Sequence, residues 1–254
     1  MQKLLAAAGV GSRREVERWI REGRLEINGA VPALGAKLGP RDRVTLDGRP
    51  VRLRAAAPAE SRALILHRSP GTPLDLQAAA AQAAEHLKLG HVSRRWLAIQ
   101  PLPPVDGGLE ILTDDGAWAH RVSRGAHRLT VDYVLRMRGP LDDALVAEFL
   151  AATSSEEEPM SILAAEARYG EASNHWLSVT ARATRSAMVR HWWAARGMIV
   201  SRLMRVRFGP IQLGRELPRG RLRLLSPDER SALASEMEAA EPGAADPPPA
   251  ARAR

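Results

Sequence analysis

Cysteine is absent from the 254 residues, which excludes disulfides, thiolate metal sites and cysteine nucleophiles together. Aromatic side chains are scarce too, six Trp, two Tyr and two Phe, so branched aliphatics and alanine must fill most of any core. No apolar run approaches the roughly 18 residues that a membrane helix needs. The opening Met1-Gln2-Lys3-Leu4-Leu5-Ala6-Ala7-Ala8-Gly9 has too short an apolar run for a signal peptide and leads straight into charged sequence. A water-soluble cytoplasmic protein without membrane contact is expected. At 45% hydrophobic residues, the length suits two modest domains or one large one.

Basic charge is what the sequence has in excess: 37 Lys+Arg against 29 Asp+Glu, a net +8. The excess is clustered. Between Arg182 and Arg223 there are eleven arginines and one acid, Glu216; the first 54 residues carry twelve Lys and Arg against six Asp and Glu. Two basic ends flank a more acidic middle, and an acidic stretch follows. Such clustering points to a polyanion, since phosphate neutralisation is the main source of nucleic-acid affinity and the planar arginine fork suits it.

Local signals give the organisation. Ser12-Arg13-Arg14-Glu15 is a capping box, Val16, Trp19 and Ile20 follow at helical spacing, and Gly23 is placed to stop the helix. Leu25-Glu26-Ile27 alternates as a strand, Asn28-Gly29 is a hairpin signal, and Asp47-Gly48 between Val44-Thr45-Leu46 and Val51 is a second. Residues 1–54 therefore read as two short helices on a small sheet, 55–62 as a linker, 63–225 as a larger domain and 226–254 as an acidic, Pro/Ala-rich tail. Within the larger domain, strands are expected at Leu64–Leu66, Leu109–Leu112, Arg128–Met137, Leu177–Val179 and Val200–Phe208. Helices are expected at Leu76–Leu89, Ala117–Val122, Leu141–Ala152 and Ser186–Arg196. They interleave without a βαβ rhythm, which gives an α+β fold with a mixed, mainly antiparallel sheet. Glu156-Glu157-Glu158 reads as a solvated loop. Ser226–Ala240 reads as a short acidic helix, and Ala244–Arg254, with Pro247-Pro248-Pro249, as disordered.

The run from Lys3-Leu4-Leu5 through Ser12-Arg13-Arg14 to Gly23-Arg24-Leu25-Glu26-Ile27-Asn28-Gly29 resembles the S4-type RNA-binding domain. Val200-Ser201-Arg202-Leu203-Met204-Arg205-Val206-Arg207-Phe208-Gly209-Pro210-Ile211, Leu217-Pro218-Arg219-Gly220 and Leu109–Gly116 are similar to segments of the RsuA/RluB-type ribosomal RNA pseudouridine synthases. The resemblance spans roughly residues 1–225. It implies a structured RNA partner, ribosomal RNA, and an isomerisation that flips a uridine out of the stack and reattaches its base through carbon. Neither metal nor organic cofactor is implied, and a monomer is expected.

Carried over residue by residue, the resemblance puts the tyrosine of such a site at Tyr133 and its arginine at Arg190. The family's aspartate, in an Arg-Leu-Asp loop, falls on Pro103 of Pro101-Leu102-Pro103. A carboxylate is needed there to attack, to stabilise positive charge on the sugar and to take a proton, and proline can do none of these. Asp106 stands three residues on, where the family has threonine, about 10 Å of extended chain away. If its carboxylate met Arg190 in a cleft beside the Tyr133 ring, an active synthase with a displaced acid would be the reading. Otherwise the chain is expected to bind RNA with catalysis impaired or lost. For binding, the candidates are Lys3, Ser12, Arg13, Arg14, Arg18, Arg21, Arg24, Asn28 and Lys37 in the first domain, and Arg202, Arg205 and Arg207 in the second. His191-Trp192-Trp193 could stack bases, with at least one Trp expected in the core.

Overall fold

The computed structural model describes residues 1–7, 10–39, 42–51, 61–87, 96–152, 160–170 and 174–239. The proposed linker lies almost wholly outside them, as do Glu156–Glu158 and Ala244–Arg254. The described residues form two compact units, one within Met1–Ser61 and His91–Trp96 and one within Arg62–Gly90 and Leu97–Arg254.

In the first unit, α1 (Gln2–Ala7) and α2 (Arg13–Arg21) pack on a sheet of β1 (Leu25–Ile27), β2 (Val44–Leu46) and β3 (Arg49–Pro50), in that order. Ser12 caps α2 as the sequence predicts: its hydroxyl accepts from Glu15 N at 3.0 Å and Glu15 Oε2 accepts from Ser12 N at 2.6 Å. Gly23 takes φ +69° and ends the helix, while Asn28 at φ +53° with Gly29 at +83° makes the tight turn. Leu5, Val16, Ile20, Leu25 and Val44 are the buried core of this unit.

The second unit is a mixed sheet with helices. Along it run β12 (Leu222–Leu224), β4 (Ala63–Arg68), β6 (Gly107–Thr113), β10 (Ile199–Phe208), β7 (Thr130–Arg138), β9 (Asn174–Arg182) and β8 (Ser161–Tyr169), with β5 (Leu97–Ile99) beside β6 and β11 (Ile211–Gln212) beside β10. Among the described residues, β6 with β10 is the one parallel pairing, so the sheet is mainly antiparallel. The strands foreseen at 64–66, 109–112, 128–137, 177–179 and 200–208 lie within or overlap β4, β6, β7, β9 and β10. The helices α3 (Leu76–His86), α4 (Gly116–Gly125), α5 (Asp143–Leu150) and α6 (Ser186–Ala194) fall on the segments read as helical. Strand β8 is one the sequence reading leaves unassigned.

Periodicity two on β7 buries Val131, Tyr133, Leu135 and Met137 while Arg136 and Arg138 stay exposed. That inner face meets Trp118 and Val122 of α4, Phe149 of α5, and Val189 and Trp193 of α6 in one core. The acidic segment after Leu225 is the helix α7 (Pro227–Ala239), and Leu233 on it is fully buried in that same core. The domain therefore continues past residue 225 where a tail was expected to start, because Leu233 and Met237, four apart, share one helix face.

Candidate functional site

A cavity of about 830 Å³ opens beside the inner face of the sheet, between the loop before β6 and the start of α6. Tyr133 and Arg205 from the strands, Pro101–Pro103 from the loop, and Thr184–Met188 from the helix start line it. Among the described residues that line it there is no carboxylate. Tyr133, Pro103 and Arg205 are thus brought together, with Pro103 contributing a ring.

The loop's position comes from an unusual group of charges beneath it. Glu110 is fully buried inside an otherwise apolar strand and accepts from Arg68 Nε at 2.9 Å and Arg205 Nη2 at 3.3 Å. Arg68 in turn donates to the carbonyls of Leu102 at 2.9 Å and Pro103 at 3.0 Å, and to that of Thr72. Arg205 donates to Leu109 O at 2.8 Å and Gln100 O at 2.9 Å. Two guanidiniums therefore grip the backbone on both sides of the proline-rich segment, where the prolines themselves supply no amide donors. Burial pushes the Glu110 carboxyl up from its ordinary range, and Arg205 and Arg68 pull it back.

Asp106 lies just outside this cavity's lining. Its amide donates to Pro103 O at 3.0 Å, closing a turn, and its carboxylate turns inward, fully buried. Oδ1 accepts from Arg190 Nη2 at 2.5 Å and Nε at 3.2 Å, and Arg190 Nη1 donates to Val200 O at 2.5 Å. Oδ2 has no hydrogen-bond partner among the described residues. Arg190 is therefore met by Asp106. Neither Asp106 nor Arg190 is among the residues that line the cavity, although the Asp106 charge acts on the Tyr133 phenol.

Tyr133 is buried, and its hydroxyl donates to Thr184 O at 2.9 Å. Burial pushes the phenol up to about 12, Arg205 opposing and Asp106 adding to the shift. A raised folded-state value means the unfolded chain loses this proton first as alkalinity increases. The linked stability is complete below pH 10 and is lost as pH rises through 12, about 3 kcal/mol in all from a shift of that size. Denaturant melts between pH 9 and 12 are expected to show that fall, and Tyr133→Phe should flatten it. The other tyrosine, Tyr169, is exposed and bonded to Asp143, so it contributes equally to both curves.

The remaining expected residues divide sharply. Arg13, Arg14 and Lys37 are exposed, with no carboxylate paired to them among the described residues. Arg18 and Arg21 lie 3.7 Å from Glu22 and Glu17, in loose surface pairs. Three others make contacts within their own unit. The Ser12 hydroxyl caps α2; Arg24 makes a two-pronged pair with Asp47 at 2.7 Å; and Asn28 bonds Asp42 and the Arg43 amide, both at 2.9 Å. The Lys3 side chain lies outside what the structure describes. Arg205 is no surface cation, being 2% exposed in the charge cluster, and Arg207 is held by Asp132 at 2.6 Å. Trp193 is fully buried and Trp192 stacks on Arg196, 3.6 Å from its guanidinium carbon, so neither is free to stack a base. Sequence reasoning missed Arg68 and Glu110. A single acid inside Leu109-Glu110-Ile111-Leu112 was the available signal.

Comparison with known proteins places this geometry. Residues 2–44 match the S4 domain family. The chain is 34% identical over 239 residues to ribosomal large subunit pseudouridine synthase B of Pseudomonas aeruginosa, covering 93% of this chain and 62% of that relative. Against the protein of the same name from Escherichia coli (strain K12), identity is 32% over 223 residues, covering 87% of this chain and 77% of the relative. The chain belongs to the ribosomal large subunit pseudouridine synthase B family. Membership accounts for an S4 domain followed by an α+β sheet domain. The crystal structure of a pseudouridylate synthase, 21% identical, matches 91% of this chain and 98% of its own with a TM-score of 0.52, a likeness of fold. This member of the family spans less than two thirds of the Pseudomonas relative's length. Among the described residues no helix is long and apolar enough to cross a membrane.

Proposed function

We propose that this chain is an RNA-binding member of the pseudouridine synthase B family that does not isomerise uridine. One observation carries the reading: the cavity holding Tyr133 and Arg205 is lined by Pro103, and no carboxylate reaches it among the described residues. On the family resemblance Pro103 occupies the aspartate's place. A proline ring can neither attack the sugar nor accept a proton, so glycosidic cleavage lacks its acting group. Ribosomal RNA is the ligand that the relatives' names point to, and the S4 domain offers Arg13 and Arg14 beside the start of α2, where side-chain forks and helix amides meet phosphate together.

The Asp106–Arg190 pair favours a second reading, an active synthase with a displaced acid. Against it, the Asp106 carboxylate is fully buried and is not among the residues that line the cavity. Chemical mapping of pseudouridine in ribosomal RNA from wild-type and deletion cells decides between them. The maps are expected to be identical. A site lost on deletion, restored by the wild-type gene and not by Asp106→Asn, would establish the second reading. For the S4 domain, Arg13→Ala with Arg14→Ala is expected to weaken RNA binding and lower the log–log salt slope by about two, near one per phosphate contact removed. Filter binding across a salt series measures it.

A further inference from the structure

The sheet has a second face, and nothing in the family reading uses it. On β10, β7, β9 and β8 the side chains that point away from Tyr133 and the core form rows across the strands. In one row, register places Arg202 opposite Arg136, Arg136 opposite Trp176, and Trp176 opposite Arg168. Three gaps of about 4.8 Å make this row roughly 14 Å long. Trp176 is 44% exposed, while every other tryptophan in the described residues is buried or half-buried. Arg136 and Arg168 are exposed, and among the described residues no carboxylate is paired with Arg136, Arg168 or Arg202.

Such an arrangement is unfavourable by itself. Like charges directly opposite across strands repel, and an indole on the solvent side of a strand leaves apolar surface wet. Arg202 shows the strain in charge: it is half-buried, its Nε has no hydrogen-bond partner among the described residues, and burial with the charges of Arg219 and Arg136 lowers its proton affinity. The next row on one side adds Arg138 and the next on the other adds Glu166; Asp132, already held by Arg207, and Arg182 lie two and three rows away. A ligand that brings negative charge at short intervals, together with a flat ring for the indole, removes both costs.

We propose that this outer face is a docking surface for single-stranded RNA, with an unpaired base stacked on Trp176 and flanking phosphates met by Arg136, Arg168 and Arg202. A duplex, whose bases are already stacked, would leave the indole unused, so an unpaired strand fits better. The inference deepens the RNA-binding reading and rests on it, but it concerns a face separate from the cavity and from the S4 domain.

The test uses the full chain and a short oligouridine carrying 4-thiouridine, with a duplex of equal length and polyglutamate as competitors. Photocross-links are expected at or beside Trp176 in the wild type and in the Arg13→Ala/Arg14→Ala variant. Trp176→Ala should weaken oligouridine binding about tenfold, with Trp176→Phe restoring most of it, and leave duplex binding unchanged. Arg136→Gln with Arg168→Gln should lower the salt slope by about 1.4, two contacts at the single-strand value. All these side chains are exposed, and unchanged thermal melting confirms that the variants fold. Wild-type affinity and slope in both variants would overturn the proposal while leaving the S4 reading intact. Competition by polyglutamate but not by RNA would overturn it in favour of an acidic protein partner. A wild-type chain that binds neither RNA overturns both readings.

Discussion

Replacing Glu110 by alanine is expected to destabilise the second domain by about 3–5 kcal/mol, the range for removing one partner of a buried ion pair. The size follows from what remains. Arg68 and Arg205 have side chains only 3% exposed, and both point at the same carboxylate. Without it, two like charges share a dry space, and the Leu102 amide, 3.2 Å from Glu110 Oε1, loses its acceptor. Water entering the gap would lower the penalty, at the expense of the packing around it. Because Arg68 also holds the carbonyls of Leu102 and Pro103, the cavity wall should loosen along with the fold. Urea unfolding measures the first effect, and amide exchange at Leu102 and Asp106 the second. Glu110→Gln keeps the shape and one acceptor oxygen but not the charge, so it should fall between. If Glu110→Ala costs under about 1 kcal/mol with native exchange, the cluster does not hold the loop.

Gly108→Ala is expected to cost at least about 3 kcal/mol, through the backbone and not through any lost contact. Gly108 has φ +101°, and a Cβ there would stand 2.2 Å from the Arg205 carbonyl oxygen and 2.8 Å from its amide nitrogen. Neither atom is the end of a flexible side chain. The two residues are partners in the parallel pairing of β6 with β10, so relief would require the strands to part where Arg205 enters the charge cluster. Gly197 is the control: its φ is +76° but nothing among the described residues lies within 4 Å of an added Cβ, so Gly197→Ala should cost only the conformational strain, about 1 kcal/mol. Thermal melts of the two variants side by side separate steric contact from strain. Equal losses would show that β6 and β10 can move apart freely.

Both predictions concern positions that look ordinary in sequence, a glycine beside another and one acid in an apolar run. They matter because three segments far apart in the chain, around residues 68, 110 and 205, meet in one place. No local pattern encodes that meeting. The Asp106–Arg190 contact is similar in kind: the sequence named the two residues as a pair to look for, but only the turn closed by the Asp106 amide on Pro103 aims the carboxylate at the arginine.

The sequence alone determined the elements whose signals are local. The capping box at Ser12 and Glu15, the stop at Gly23 and the turn at Asn28-Gly29 specify the S4 unit, because caps and left-handed turns depend on residues within a few positions. The alternation in β7 and the apolar length of β10 fixed those strands in the same way. Strand β8, Ser-Ile-Leu-Ala-Ala-Glu-Ala-Arg-Tyr, contains helix formers and is a strand because β9 supplies its hydrogen bonds. The arginines of β10 show the limit most clearly. By alternation Arg205 and Arg207 should share a face, yet a register shift between them sends Arg205 into the charge cluster and Arg207 outward to Asp132. One extra residue in a strand reverses which side chains meet solvent. Tertiary structure therefore chose which cations are left free at the surface, and sequence settled only that there would be many.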